Sequence, residues 1–212
     1  MKLKLVERDY EIFREVERWR FCLGRHIKVL AGFSGQRACD RRLRALLGAG
    51  YIDREKIVYG VPSVYRVAYR AKMMIGANKR QDKIRLDNIA HDIAVIDTAI
   101  YMCGRLGIPF RDITTEKQLH SQDGFSNRNH QPDFTFTKGD KTTCVEVELS
   151  LKSQERLNKT CKANFIAYDC QIWVIENTDT KLYRILEDNK TRYPNIEIIN
   201  MEEVKKHVRK NH

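Results

Sequence analysis

The chain has 212 residues, 42% of them apolar and 32% charged, a composition that can bury a core in one large domain or two small ones. No run approaches the ~18 apolar residues of a membrane span, and the opening Met1-Lys2-Leu3-Lys4 is charged again by Glu7, so neither an integral membrane protein nor a secretory leader is expected. Residues 1–86 hold 21 Lys and Arg against 9 Asp and Glu, a net of +12, whereas 87–212 hold 18 against 19, a net of −1. One half is therefore suited to meet a polyanion and the other to do something else.

Residues 6–19 carry apolar side chains at Val6, Phe13 and Val16, widened by Tyr10, Ile12 and Trp19, which predicts an amphipathic helix. A short helix over 24–31 buries Ile27 and Leu30 and is broken by Gly32. Ser34 is the expected N-cap of a third helix reaching Leu47, with Gly48 and Gly50 ending it. Residues 51–59 and 64–68 read as strands about the turn Gly60-Val61-Pro62-Ser63. Three helices and then two strands is the order of a winged helix-turn-helix, so 1–75 is read as a DNA-binding domain. Residues 76–86, polar and basic, make the expected linker, and 87–212 the second domain. There Ile89, Ile93, Ile96, Ile100 and Cys103 predict a long helix, while 112–131 is polar and loosely patterned. Residues 132–150 form a hairpin turned at Gly139-Asp140. Ser153 caps a helix to Tyr168 that buries Leu157, Cys161 and Phe165, followed by strand, helix, strand and helix to residue 209.

On the third helix Arg37, Arg41 and Arg44 share one face, and Cys39, Leu43 and Leu46 the opposite one. A recognition helix needs this arrangement: an apolar back that fixes its angle and guanidiniums that reach guanine edges or phosphates. Gln36 and Arg42 flank the basic row, and Lys56, Arg66 and Arg70 add charge on and beside the wing. Double-stranded DNA is the expected partner, with Gln36, Arg37, Arg41, Arg42, Arg44, Lys56 and Arg66 as its contacts. His26 reads as an ordinary surface or core histidine.

Strand alternation in the hairpin puts Phe134 and Phe136 on one side with Val145, Val147 and Leu149. Asp133, Glu146 and Glu148 share the other. Carboxylates this close repel unless a cation compensates, and a hard divalent ion such as Mg²⁺ or Mn²⁺ suits such an oxygen-rich face. A polar hairpin face that merely meets water is the equal alternative on spacing alone. His120 and His130 flank the preceding loop without a partner at metal-ligand spacing and read as loop histidines. Six cysteines without a Cys-x-x-Cys pair argue against a zinc ribbon and for thiols in a reducing cytoplasm.

Pro132-Asp133, a turn, and Glu146-Val147-Glu148 followed by a helix resemble the core of the PD-(D/E)XK nuclease superfamily. The resemblance implies a restriction-endonuclease-like αβββαβ domain, with Asp133 and Glu146 as metal ligands. Glu148 stands where the superfamily has lysine, and Lys152 is the nearest candidate to replace it, so the implied catalytic set is Asp133, Glu146, Glu148 and Lys152. With Arg156, Lys159, His91-Asp92-Ile93-Ala94-Val95 and the N-terminal winged helix, the chain resembles the replication-relaxation family of bacterial plasmids and integrative elements. The expectation is a cytoplasmic, DNA-associated protein that nicks or cleaves DNA with Mg²⁺ during replication or mobilisation. The alternative is a non-catalytic accessory protein or repressor whose second domain dimerises or binds a partner. Paired half-sites make a homodimer the default, and other replication or mobilisation proteins are the further expected partners.

Overall fold

The apolar stripe of the first helix, α1 (Glu7–Arg18), is fully buried at Ile12, Phe13 and Val16. The structure is a computed structural model that describes residues 3–57, 59–60, 62–123, 130–150, 152–177 and 180–210. Positions 58 and 61 of the expected wing, 124–129 of the polar segment and 151 of the acidic string lie outside the described residues. The chain is a mixed α+β protein that divides into two compact units, one up to Ile96 and one from Asp97 onward.

In the first unit β1 (Cys22–Leu23), α2 (Gly24–Leu30), α3 (Gln36–Gly48), β2 (Ile52–Glu55), β3 (Val64–Val67) and α4 (Tyr69–Met74) follow α1. The three strands form an antiparallel sheet in the order β1-β3-β2, with Cys22 opposite Tyr65 and Ile52 opposite Val67. At two residues β1 is too short to show a period, so the sequence pattern does not reveal it. Cys39, Leu43 and Leu46 of α3 are buried with Ile27, Ile52 and Val64. Gly35 is the N-cap of α3, and Ser34 sits one position too early to cap it.

The segment expected as a linker is fastened to this unit. Arg66 donates to the Asp82 carbonyl, Lys72 donates to the Arg80 carbonyl at 2.8 Å, and Gln81 reaches back to the Val67 carbonyl. Beyond these ties Ile84, Ile89 and Ile93 pack on Phe21, Leu23 and Val64, so the N-terminal core is completed by residues past position 80.

Helix α5 (Ile89–Leu106) crosses the division between the units. It is followed by β4 (Ile113–Thr115), α6 (Glu116–Gln122), β5 (Phe134–Lys138), β6 (Lys141–Glu148) and α7 (Gln154–Ala167). The chain continues through β7 (Cys170–Ile175), α8 (Lys181–Arg192), β8 (Ile196–Asn200) and α9 (Met201–Lys210). The five strands lie in the order β4-β5-β6-β7-β8, antiparallel from β4 to β6 and parallel from β6 to β8. Gly139, at φ 61°, makes the tight turn between β5 and β6.

Parallel pairing of β6 with β7 requires a crossover, and α7 supplies it. Leu157 and Cys161 of α7 pack with Trp173 and Ile175 of β7 and with Leu182, Ile185 and Leu186 of α8. Trp173 lies beside Glu146 and Ile175 beside Glu148, so the same helices cover the carboxylate side of β6. Every residue from Cys144 to Glu148 is buried. The alternative of a carboxylate face that merely meets water is thus corrected: the alternation of faces is as read, but both faces are covered. Phe165, expected in the core, is exposed, with its ring tilted against Tyr193 at 5.2 Å between ring centres. Among the described residues no helix is long and apolar enough to cross a membrane.

Candidate functional site

Strand β6 and the residues just before β5 and α7 bring the expected acidic residues together. Asp133 lies one register step beyond the Phe134–Val145 pair, which sets it beside Glu146, and its Oδ2 accepts the Val147 N–H at 2.7 Å. Glu146 is 5% exposed. Its Oε1 accepts from His130 Nε2 at 2.6 Å and from Asn164 Nδ2 of α7 at 3.0 Å. Lys152 Nζ lies 2.5 Å from Glu148 Oε2, a buried oxygen that has no well-angled hydrogen bond. The four residues of the expected catalytic set therefore lie on one face of β6, just before β5 and just before α7.

Burial pushes the Glu146 carboxyl above the usual carboxylate range, and the charge of Asp133 adds to the rise. The hydrogen bonds from His130 and Asn164 and the charge of His130 pull it down without cancelling the effect of burial. The expected cause, repulsion between neighbouring carboxylates, is present but smaller than desolvation. For His130 burial disfavours the cation, yet the hydrogen bond and charge of Glu146, with the charge of Asp133, outweigh it and raise its pKa above the ordinary histidine value.

Asn164 is a member of this site that sequence reasoning missed, and His130, read from the sequence as a loop histidine, is corrected to a second one. Asn164 carried a signal, since it continues the buried stripe of Leu157 and Cys161 as the one polar side chain. His130 carried none beyond standing three residues before Asp133. Among the described residues His120 pairs with Glu116, at 3.6 Å, and takes no part in this cluster. Among the described residues no group of three His, Cys, Asp or Glu side chains converges as a metal site.

In the first unit Arg37, Arg41 and Arg44 are exposed along one face of α3, opposite the buried Cys39, Leu43 and Leu46. Arg37 and Arg41 make no ion pair among the described residues, and Arg44 Nε donates only to the Asp40 carbonyl of its own helix. Gln36 is held by Asp40 at 2.7 Å. Lys56 is exposed, with its Nζ 5.4 Å from the centre of the Tyr59 ring. Two of the expected contacts are committed elsewhere. Arg42 grips the fully buried Asp9 through Nε at 2.7 Å and through Nη2, and also donates to the Lys4 carbonyl. Arg66 holds Glu55 and the Asp82 carbonyl. His26, fully buried, accepts the Leu23 N–H at the start of α2.

No protein family, curated protein or solved structure matches the chain.

Proposed function

We propose that the chain is a DNA-binding protein of a mobile genetic element, of the replication-relaxation family, that nicks or cleaves DNA with a divalent ion. On this reading the first unit is a winged helix, which the sheet order β1-β3-β2 and the exposed arginines of α3 support. The second unit is a PD-(D/E)XK nuclease-like domain, supported by the order α5-β4-α6-β5-β6-α7-β7, in which α6 is an insertion between the first two strands, with a parallel β6–β7 pair.

One observation carries the catalytic reading. Glu148, in the position where the superfamily has lysine and on the same face of β6 as Glu146, holds the ammonium of Lys152 at 2.5 Å. The displaced lysine is thereby delivered to the acidic site from four residues downstream. The donor set fits Mg²⁺ or Mn²⁺, because such ions are bound by one or two carboxylates and complete their shell with water and phosphate oxygen. Asp133 and Glu146 are the residues that would hold the ion. When bound, it supplies a water of lowered pKa and charge that stabilises the pentavalent phosphate. Lys152, fixed by Glu148, directs its charge at the scissile phosphate. His130 and Asn164 orient the Glu146 carboxylate, and His130 keeps a proton on Nε2 against Oε1.

The second reading, an accessory protein or repressor without catalysis, draws on the burial of Glu146 and the commitment of its Oε1 to two donors. The two readings part on metal binding. An ion held only by the folded state raises the melting temperature, by about 3 °C at a concentration roughly tenfold above Kd. Wild type should show this shift with Mn²⁺, and Asp133→Asn and Glu146→Gln should lose it. A wild type indifferent to millimolar Mn²⁺, or variants that keep the shift, would remove the nuclease reading and leave the accessory one.

A further inference from the structure

A groove of about 660 Å³ opens in the first unit between the start of α1 and the outer face of α3. Its size falls within the range of small-molecule sites. Val6, 50% exposed, with Phe33 and the two alanines Ala38 and Ala45 of α3 give it an apolar wall. Two guanidiniums without a carboxylate partner among the described residues line it, Arg8 and Arg41, and of its two carboxylates Glu7 is paired with Arg14 at 3.2 Å and Asp9 with Arg42. Arg8 lies over the Phe33 ring at 4.8 Å, which makes a flat cationic stack at the groove edge. The base is rigid, because Arg42 and Asp9 are locked to each other there and Asp9 also accepts the Val6 N–H at 2.8 Å. A preformed apolar wall with two cations and a planar stack is complementary to a planar apolar body that carries a negative group.

We infer that this groove binds an aromatic anion of about mononucleotide size, and that the occupant competes with nucleic acid for Arg41. The competition rests on the DNA-binding reading given above; the groove itself does not. Arg41 lies in the exposed row of α3, so a sulfonate or phosphate seated on its guanidinium withdraws one cation from the face that would meet DNA.

The test uses the full chain and two fluorescent probes, the anionic 8-anilinonaphthalene-1-sulfonate and the neutral N-phenyl-1-naphthylamine. The sulfonate should bind wild type more tightly than the neutral probe. Its affinity should fall about tenfold in Arg8→Ala and in Arg41→Ala. It should be lost in Ala38→Glu, which puts a carboxylate at an exposed helix position and leaves the melting temperature unchanged. Equal affinity for the two probes, or sulfonate binding that survives Arg8→Ala and Ala38→Glu, overturns the site. In a second arm, saturating sulfonate should weaken wild-type binding to a labelled duplex about tenfold. Duplex binding that ignores the bound sulfonate overturns the competition alone. No duplex binding by wild type, with the sulfonate bound as expected, overturns the DNA-binding reading and the competition with it, and leaves the groove standing.

Discussion

Asp9 and Glu146 are both sealed from water, and their surroundings compensate them differently. Asp9 is fully matched by the fork of Arg42, whereas Glu146 is shared between a histidine and an amide and keeps a raised pKa. Arg42→Ala would strand a buried carboxylate, so it should cost about 3 kcal/mol of stability by urea unfolding. Arg41→Ala, one residue earlier but exposed, should cost less than about 0.5 kcal/mol. Equal losses would mean that the Asp9–Arg42 pair is not the anchor described. The His130–Glu146 pair makes a pH-dependent prediction. A histidine whose folded pKa is raised contributes stability that is full below its unfolded value, about 6.5, and that fades as pH rises through the folded value. His130→Gln should therefore lower the melting temperature more at pH 6 than at pH 9, and a loss that grows with pH would contradict the pairing. The raised pKa of Glu146 carries the same sign. Its raised pKa means that ionising it in the folded chain costs stability as pH climbs past the carboxylate range, so metal-free Glu146→Gln should be no less stable than wild type at pH 8.

Among the elements, α3 was the most legible, because its basic row and its buried row are both set by one helical period. The face assignment of β5 and β6 was legible for the same reason, with period two in place of 3.6. What covers those faces was not. The burial of Glu146 and Glu148 follows from the parallel pairing of β6 with β7, a contact between distant segments that no local pattern encodes. The same limit hid β1, recognisable only by its pairing with β3, and His130, which reaches Glu146 from a loop. The segment 76–86 was read from its composition as a linker, since polar and basic residues say nothing of the side chains that hold their carbonyls. Those ties can be loosened: Lys72 is 1% exposed and also pairs with Glu17 at 3.1 Å. Lys72→Ala and Arg66→Ala should each speed amide exchange across 76–86 while the amides of α3 keep their protection. Exchange that is unchanged there would mean that the segment is held by something other than these two side chains.

At the scale of the whole molecule, the charge asymmetry and the division into two units run together: the +12 half is the half that holds the arginine row. A fragment ending at residue 86 would omit Ile89, which is 5% exposed in the N-terminal core. Burying one such side chain contributes about 1.5–3 kcal/mol. The fragment 1–96 should therefore melt higher than 1–86 and bind duplex DNA alone, with log affinity falling by about 0.9 per neutralised phosphate against log salt. Replacing Arg37, Arg41 and Arg44 together by alanine should flatten that slope by roughly one unit per arginine. Duplex binding that the triple variant leaves intact would move the DNA face away from α3.

The central claim joins that face to the acidic site of β6, and conversion of supercoiled plasmid to open circle tests it most directly. Wild type should nick the plasmid with Mg²⁺ and not with EDTA. Glu146→Gln, at the proposed metal ligand, and Lys152→Ala, at the proposed phosphate-directed charge, should each lower the rate at least about a hundredfold, with duplex binding unchanged. Plasmid left supercoiled by wild type in Mg²⁺, or nicked equally by wild type and Glu146→Gln, would contradict the account.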